Sequence, residues 1–153
     1  MWLSHRVVTA SAVLVATHNL WFVVAATAGS TFPDKVEQWL PGDWRRHHRR
    51  ASHWWPLYLV PFLACNGILF ASRGESCFRT DRFFDVFVLL SWFIIGCLMH
   101  ILEDSVCGKI PVWRPQKRVF LFPRLFYTGS VGENVFVLFF LLFSVFLFLN
   151  GRR

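Results

Sequence analysis

Apolar residues in this chain come in long blocks rather than in alternation with polar ones. Residues 54–72 (WWPLYLVPFLACNGILFAS) carry no charge. Residues 86–99 (VFVLLSWFIIGCLM) are also uncharged, and the stretch reaches spanning length if it runs from about Arg82 to Glu103. A third block, 135–149 (VFVLFFLLFSVFLFL), is closed by Asn150, Gly151, Arg152 and Arg153. A helix needs ~20 apolar residues to cross the hydrocarbon core of a bilayer, and each block reaches or approaches that length. Only helices and closed barrels satisfy their backbone groups in lipid, and the period-2 alternation of barrel strands is missing. The pattern predicts an all-α membrane protein with three long transmembrane helices, organised as a single integral membrane domain over residues 1–153.

Composition agrees. The chain is 55% hydrophobic and 16% charged, with 18 Phe and 8 Trp. A soluble domain carries about a quarter charged residues, so that class is excluded. No phosphate-binding glycine loop, nucleophile elbow or nucleic-acid module is present. The four cysteines show no pairing pattern and read as small side chains.

The titratable residues gather at the borders of the apolar blocks. His5 opens the first, and Pro33-Asp34 closes it. The run Trp44 to His53 (WRRHHRRASH), with His48 and His53, leads into the second. His100 and Asp104 end the third, and Glu133 begins the last. Ionisable groups in or beside a membrane are costly and point to function. His100 and Asp104 stand at i and i+4, on one face of a helix. Imidazole plus carboxylate is a normal ligand set for zinc or another first-row divalent ion. A hydrogen-bonded helix end is the competing reading of that pair. His48-x4-His53 is equally ambiguous, since basic juxtamembrane loops meet anionic headgroups.

A shared site constrains the N-terminal segment. One straight helix over 6–29 would hold its ends ~35 Å apart, too far for His5 and Asp34 to meet. A hairpin solves this, with short helices near 5–16 and 20–32 turning at Thr17-His18-Asn19. Ala26-Thr27-Ala28 loosely resembles a signal-cleavage site, but the preceding basic region is thin. With the hairpin, His5, Asp34, His48, His53, His100, Asp104 and Glu133 fall on one side. Eleven of the 16 Lys and Arg residues lie there too (Arg6, Lys35, Arg45, Arg46, Arg49, Arg50, Lys109, Arg114, Lys117, Arg118 and Arg124). The positive-inside rule makes that side cytoplasmic.

The order His5, Pro33-Asp34, His48-Arg49-x-x-Ser52-His53, His100-x-x-x-Asp104, Pro115 and Thr128-Gly129-Ser130-x-Gly132-Glu133 resembles the YdjM-like family. Its members are bacterial inner-membrane proteins described as metal-dependent hydrolases and as LexA-binding. The resemblance covers nearly the whole chain. It implies a divalent metal, most simply zinc, held by Asp34, His53, His100 and Asp104 with His5 and His48. It also gives Asp104 a catalytic role and Glu133 that of metal ligand or general base, while Ser130-x-x-Glu133 equally fits a capping box that holds Glu133 at a helix start. The chain departs from the family pattern at Val36 and Glu37, where an acid and a His are usual, and at Ser52, Trp54 and Cys107. A second metal ion is the feature these departures weaken.

The order His, Asp, His, His-x-x-x-Asp is also similar to that of zinc-dependent phospholipase C and the single-strand-specific zinc nucleases, which cleave phosphoesters. That likeness implies a phosphoester substrate, including a phospholipid. Arg49, Arg50, Lys117 and Arg118 are the candidates to hold its phosphate, although a solvated basic loop explains each of them as well. The segment 117–128 (KRVFLFPRLFYT) reads as a small extended hairpin over the site. The alternative function is a catalytically silent membrane scaffold or partner-binding protein whose His/Asp cluster is structural.

Overall fold

Thr17, His18 and Asn19 turn the first apolar segment back on itself. The computed structural model describes residues 2–39, 49–78 and 85–151. In it α1 (Trp2–Thr17) and α2 (Leu20–Gly29) form the expected hairpin. His18 takes a left-handed conformation (φ 52°) at the corner. The Asn19 side chain then caps α2 by accepting from the N–H groups of Trp21 and Phe22, which a helix start otherwise leaves unsatisfied. The second arm stops earlier than the run of apolar residues suggests. Ser30 and Thr31 turn their hydroxyls back onto the carbonyls of Thr27 and Ala28, and the chain restarts as α3 (Phe32–Trp39).

A 3-10 turn over Ala51–His53 leads into α4 (Pro56–Arg73), followed by α5 (Val86–Cys107) and α6 (Val131–Asn150). These last three helices, of 18, 22 and 20 residues, are long and apolar enough to cross a membrane. Two short antiparallel strands, β1 (Ile110–Arg114) and β2 (Lys117–Val119), lie between α5 and α6. The hairpin expected near 117–128 is thus set further back along the chain. It turns at Pro115-Gln116, pairing Ile110 with Val119, while 120–130 forms no strand. Pro123, having no N–H, suits no ladder position there.

α5 is the pillar. α2 and α4 pack along it, and α6 packs on α1. The contact with α2 is backbone on backbone. A Cβ on Gly96 would stand 1.9 Å from the Ala26 carbonyl oxygen, and one on Gly29 equally close to that of Phe93. Such close crossings are how membrane helices associate where lipid removes the hydrophobic drive. Phe22 stacks on Trp92 in the same interface, with ring centroids 5.1 Å apart. At its start α5 is capped by Asp85, which also pairs with Arg73.

Burial in the outer helices is inverted relative to a soluble protein. α6 buries only Glu133 and Ser144, while Val135, Leu138, Phe139, Leu142 and Phe146 are exposed. α4 buries Tyr58, Cys65 and Leu69 and exposes Leu57, Val60, Leu63 and Phe70. An apolar surface this extensive is compatible with contact with a lipid bilayer.

Candidate metal centre

Four short-range decisions bring the candidate ligands together. The Gly29–Gly96 crossing seats the end of α2 against α5, one turn before His100. The break at Ser30-Thr31 re-aims the chain so that Asp34, in the first turn of α3, faces α5. The 3-10 turn delivers His53. The α1–α2 hairpin returns His5 to the same end of the molecule. His5, Asp34, His53, His100 and Asp104 are all buried.

The two inner imidazoles, His53 Nε2 and His100 Nε2, are 3.1 Å apart. Asp34 Oδ1 lies 3.4 Å from the first and 3.6 Å from the second. Asp104 Oδ2 lies 3.2 Å and 3.7 Å from the same two atoms. Ligands of one bound ion stand ~3–4 Å from one another, so these spacings leave the groups able to hold a metal ion. Asp104 Oδ2 is buried and faces both imidazoles. The donor set and the spacing both fit a divalent cation.

The other nitrogen of each histidine is tied down. His100 Nδ1 is 2.7 Å from the Ser30 carbonyl oxygen. His53 Nδ1 is 3.1 Å from Glu37 Oε1, and Ser52 also donates to that carboxylate. His5 Nδ1 is 2.8 Å from Glu103 Oε2. Anchoring of one ring nitrogen by a carboxylate or carbonyl, with the other left to face the centre, is the usual support of a metal-binding histidine.

His5 stands to one side. Its Nε2 is 3.7 Å from the other Asp104 oxygen, Oδ1, and its ring is 4.1 Å from that of His100. Two overlapping triads result, Asp34-His53-His100 and His5-His100-Asp104. They share His100, whose Nδ1 is already engaged, so its Nε2 serves one ion at a time.

Charge at the centre is balanced from within the protein. Arg49 Nη2 donates to Asp104 Oδ1 at 2.7 Å and to Thr128 Oγ1 at 3.3 Å. Arg49 holds a left-handed backbone (φ 56°), which costs a non-glycine residue about 1 kcal/mol. Its N–H bond to Glu37 Oε1, 3.0 Å long, helps offset this. Burial disfavours charge on both Asp34 and His53, but their mutual contacts win. Hydrogen bonds from His100 and His53 hold the Asp34 carboxyl well below the usual carboxylate range. Bonds to Asp104, Asp34 and Glu37 push the His53 imidazole up to about 10.

The remaining sequence candidates are placed differently. Glu133 accepts from the Ser4 hydroxyl and the Gly129 N–H, while Ser130 caps the Glu133 N–H. Both its oxygens therefore hold α6 at its start and against α1. Arg50, Lys117 and Arg118 are exposed, and Arg118 lines an open cleft with Arg49. His48 lies outside the described residues. Sequence reasoning missed Glu37, Glu103 and the Ser30 carbonyl. Glu37 follows Asp34 by three residues and Glu103 follows His100 by three, so each shares a helix face with a ligand, a signal that could have found them. No protein-family model, curated protein or solved structure matches the chain.

Proposed function

We propose that this protein is a membrane-embedded, metal-dependent hydrolase of phosphoesters, related to the YdjM-like family and sited at the cytoplasmic face of a bacterial inner membrane. Asp34, His53, His100 and Asp104 are its metal ligands, with zinc the natural occupant. The observation that carries the reading is that three buried histidines each anchor Nδ1 and turn Nε2 toward the two aspartates. A hydrogen-bonded cluster needs no such uniform orientation.

A divalent ion bound there supplies Lewis acidity toward a phosphoryl oxygen and acidifies water. The protein's own groups supply the rest. Asp104 presents one oxygen to the ligand cluster and the other to Arg49 and His5. His5, oriented by Glu103, is placed to take a proton from an attacking water, in the arrangement of a general base and its orienting carboxylate. Arg49, reaching the centre from the open cleft, is placed to hold a phosphate oxygen and to order it against the cluster. Glu133, occupied by Ser4 and Gly129, is assigned to helix docking rather than to proton transfer.

The test is hydrolysis of a chromogenic phosphodiester by detergent-purified protein, with and without chelator. Turnover should need the metal and disappear in His100→Ala. A fully metal-loaded protein inert toward phosphomonoesters and phosphodiesters alike would remove the hydrolase reading. A second reading rests on the charge balance. Arg49 and a protonated His53 compensate Asp34 and Asp104, so the cluster could staple α1, α3 and α5 without any ion.

A further inference from the structure

We infer that the apolar pocket enclosed by α1, α5 and α6 is a seat for one hydrocarbon chain of an anionic phospholipid, whose phosphate lies in the adjoining basic cleft. The pocket holds about 160 Å³ and is walled by Val8 of α1, Met99 and Leu102 of α5, and Phe136, Val137 and Phe140 of α6. Its polar groups are Ser4, His5, Glu103 and Glu133, which belong to the end where the metal centre lies. It is thus an amphipathic cavity, apolar along its length and polar where it meets the chemistry.

Its position selects the occupant. The walls on α5 and α6 belong to helices long enough to cross a membrane, so the medium beside the pocket is lipid hydrocarbon. α6 packs along α1 rather than along α5, and the pocket lies among these three helices beside the apolar outer surface of α6. A preformed, apolar, poorly hydrated pocket favours an apolar guest.

The cleft supplies the other half. It spans about 460 Å³ and is lined by Arg49, Lys109, Arg118, Arg124 and Thr128. Lys109 and Arg124 pair with no carboxylate among the described residues. They lie instead over the Phe120 ring, 5.1 Å and 5.3 Å from its centroid, and Arg124 also over Tyr127 at 4.6 Å. Four cations line the cleft, two of them held on aromatic faces, and together they form a site for a phosphate group.

Cys107 borders both the pocket and the cleft. Asp104 is reached from both sides, by His5 from the pocket at 3.7 Å and by Arg49 from the cleft at 2.7 Å. A molecule with a phosphate beside its acyl chain therefore places the phosphoester against Asp104. Its turnover rests on the hydrolase reading, but its binding does not.

The experiment measures binding of dioleoyl phosphatidate and of inorganic phosphate to the full-length, metal-loaded protein in detergent, by native mass spectrometry and calorimetry. Val137→Trp fills the pocket and should weaken phosphatidate binding by roughly tenfold or more, leaving inorganic phosphate binding and metal content unchanged. Val137→Phe serves as the smaller fill if Trp disturbs folding. Lys109→Gln with Arg124→Gln should weaken both ligands by roughly tenfold. Phosphatidate binding that ignores both Val137 variants would overturn the lipid assignment and leave a site for soluble phosphate alone. Binding that ignores loss of Lys109 and Arg124 would overturn the headgroup assignment. If lipid binding behaves as described while no phosphoester is hydrolysed, the hydrolase reading fails and this one stands.

Discussion

α5 and α6 are similarly apolar helices of 22 and 20 residues, yet they are buried to very different extents. α5 buries ten residues and α6 two. The difference lies in what interrupts the apolar run. α5 carries Ser91, Gly96, Cys97, His100, Asp104 and Ser105, small or polar residues that are buried and let other backbones approach. α6 is filled with Phe, Leu and Val on every face, and only Ser144 and Glu133 turn inward. Hydropathy reports that both helices suit a membrane. Small and polar interruptions report which of them the protein is built around.

The comparison predicts unequal sensitivity. Gly96→Val would force a side chain onto the Ala26 carbonyl, separate α2 from α5, and withdraw Ser30 from His100. We expect a loss of about 3 kcal/mol or more, at the severe end of overpacking, together with loss of metal binding. Thermal unfolding in detergent, followed by circular dichroism, reads the first. Unchanged stability would mean that the close crossing is not what holds α5 in place.

Next in size is Glu37→Gln, which keeps the shape but removes the charge orienting His53. Metal affinity should fall about 10- to 100-fold, measured by competition with a chelator. An unaltered affinity would place Glu37 outside the working site.

The buried end also carries a pH signature. In the metal-free protein the His53 imidazole is raised to about 10, above its ordinary value of about 6.5. Its contribution to folding is therefore complete below pH ~6.5 and is lost as pH climbs through 10. Metal binding must displace that proton, so apparent affinity should rise about tenfold per pH unit across the same window. A flat profile would contradict a protonated His53 in the metal-free state.

The smallest effect belongs to α6. Glu133→Gln retains one acceptor for Ser4 or Gly129 and should cost about 1 kcal/mol of stability. Metal affinity should stay within about twofold, the size of a ±0.5 kcal/mol effect. A tenfold fall in affinity or turnover would return Glu133 to the chemistry.

Much of this molecule is legible in its sequence, and the gaps have physical causes. Long charge-free runs that reach or approach spanning length identify α4, α5 and α6. Thr17-His18-Asn19 marks the α1–α2 corner, since Asn19 can cap and His18 is out of place at mid-bilayer. The break at Ser30-Thr31 is hidden, because hydropathy continues to Phe32 and the hydroxyls that end α2 act on their own backbone. Within the site, Asp34, His53, His100 and Asp104 can be found from residue type and spacing, and the structure brings them together. Glu37 and Glu103 escape notice because, in a linear reading, they are one a departure from a motif and the other the neighbour of a ligand. Lys109 and Arg124 pass as ordinary basic loop residues until the fold sets them around one cleft.

The central claim is that the buried His/Asp cluster holds one divalent ion. Elemental analysis of detergent-purified protein, compared with His100→Ala, tests it most directly. The account predicts about one zinc-type ion per wild-type chain, consistent with a four-ligand site, and none in His100→Ala although its helices remain. Wild-type protein that stays metal-free after exposure to excess zinc at pH 8, or His100→Ala protein that keeps its ion, would contradict it.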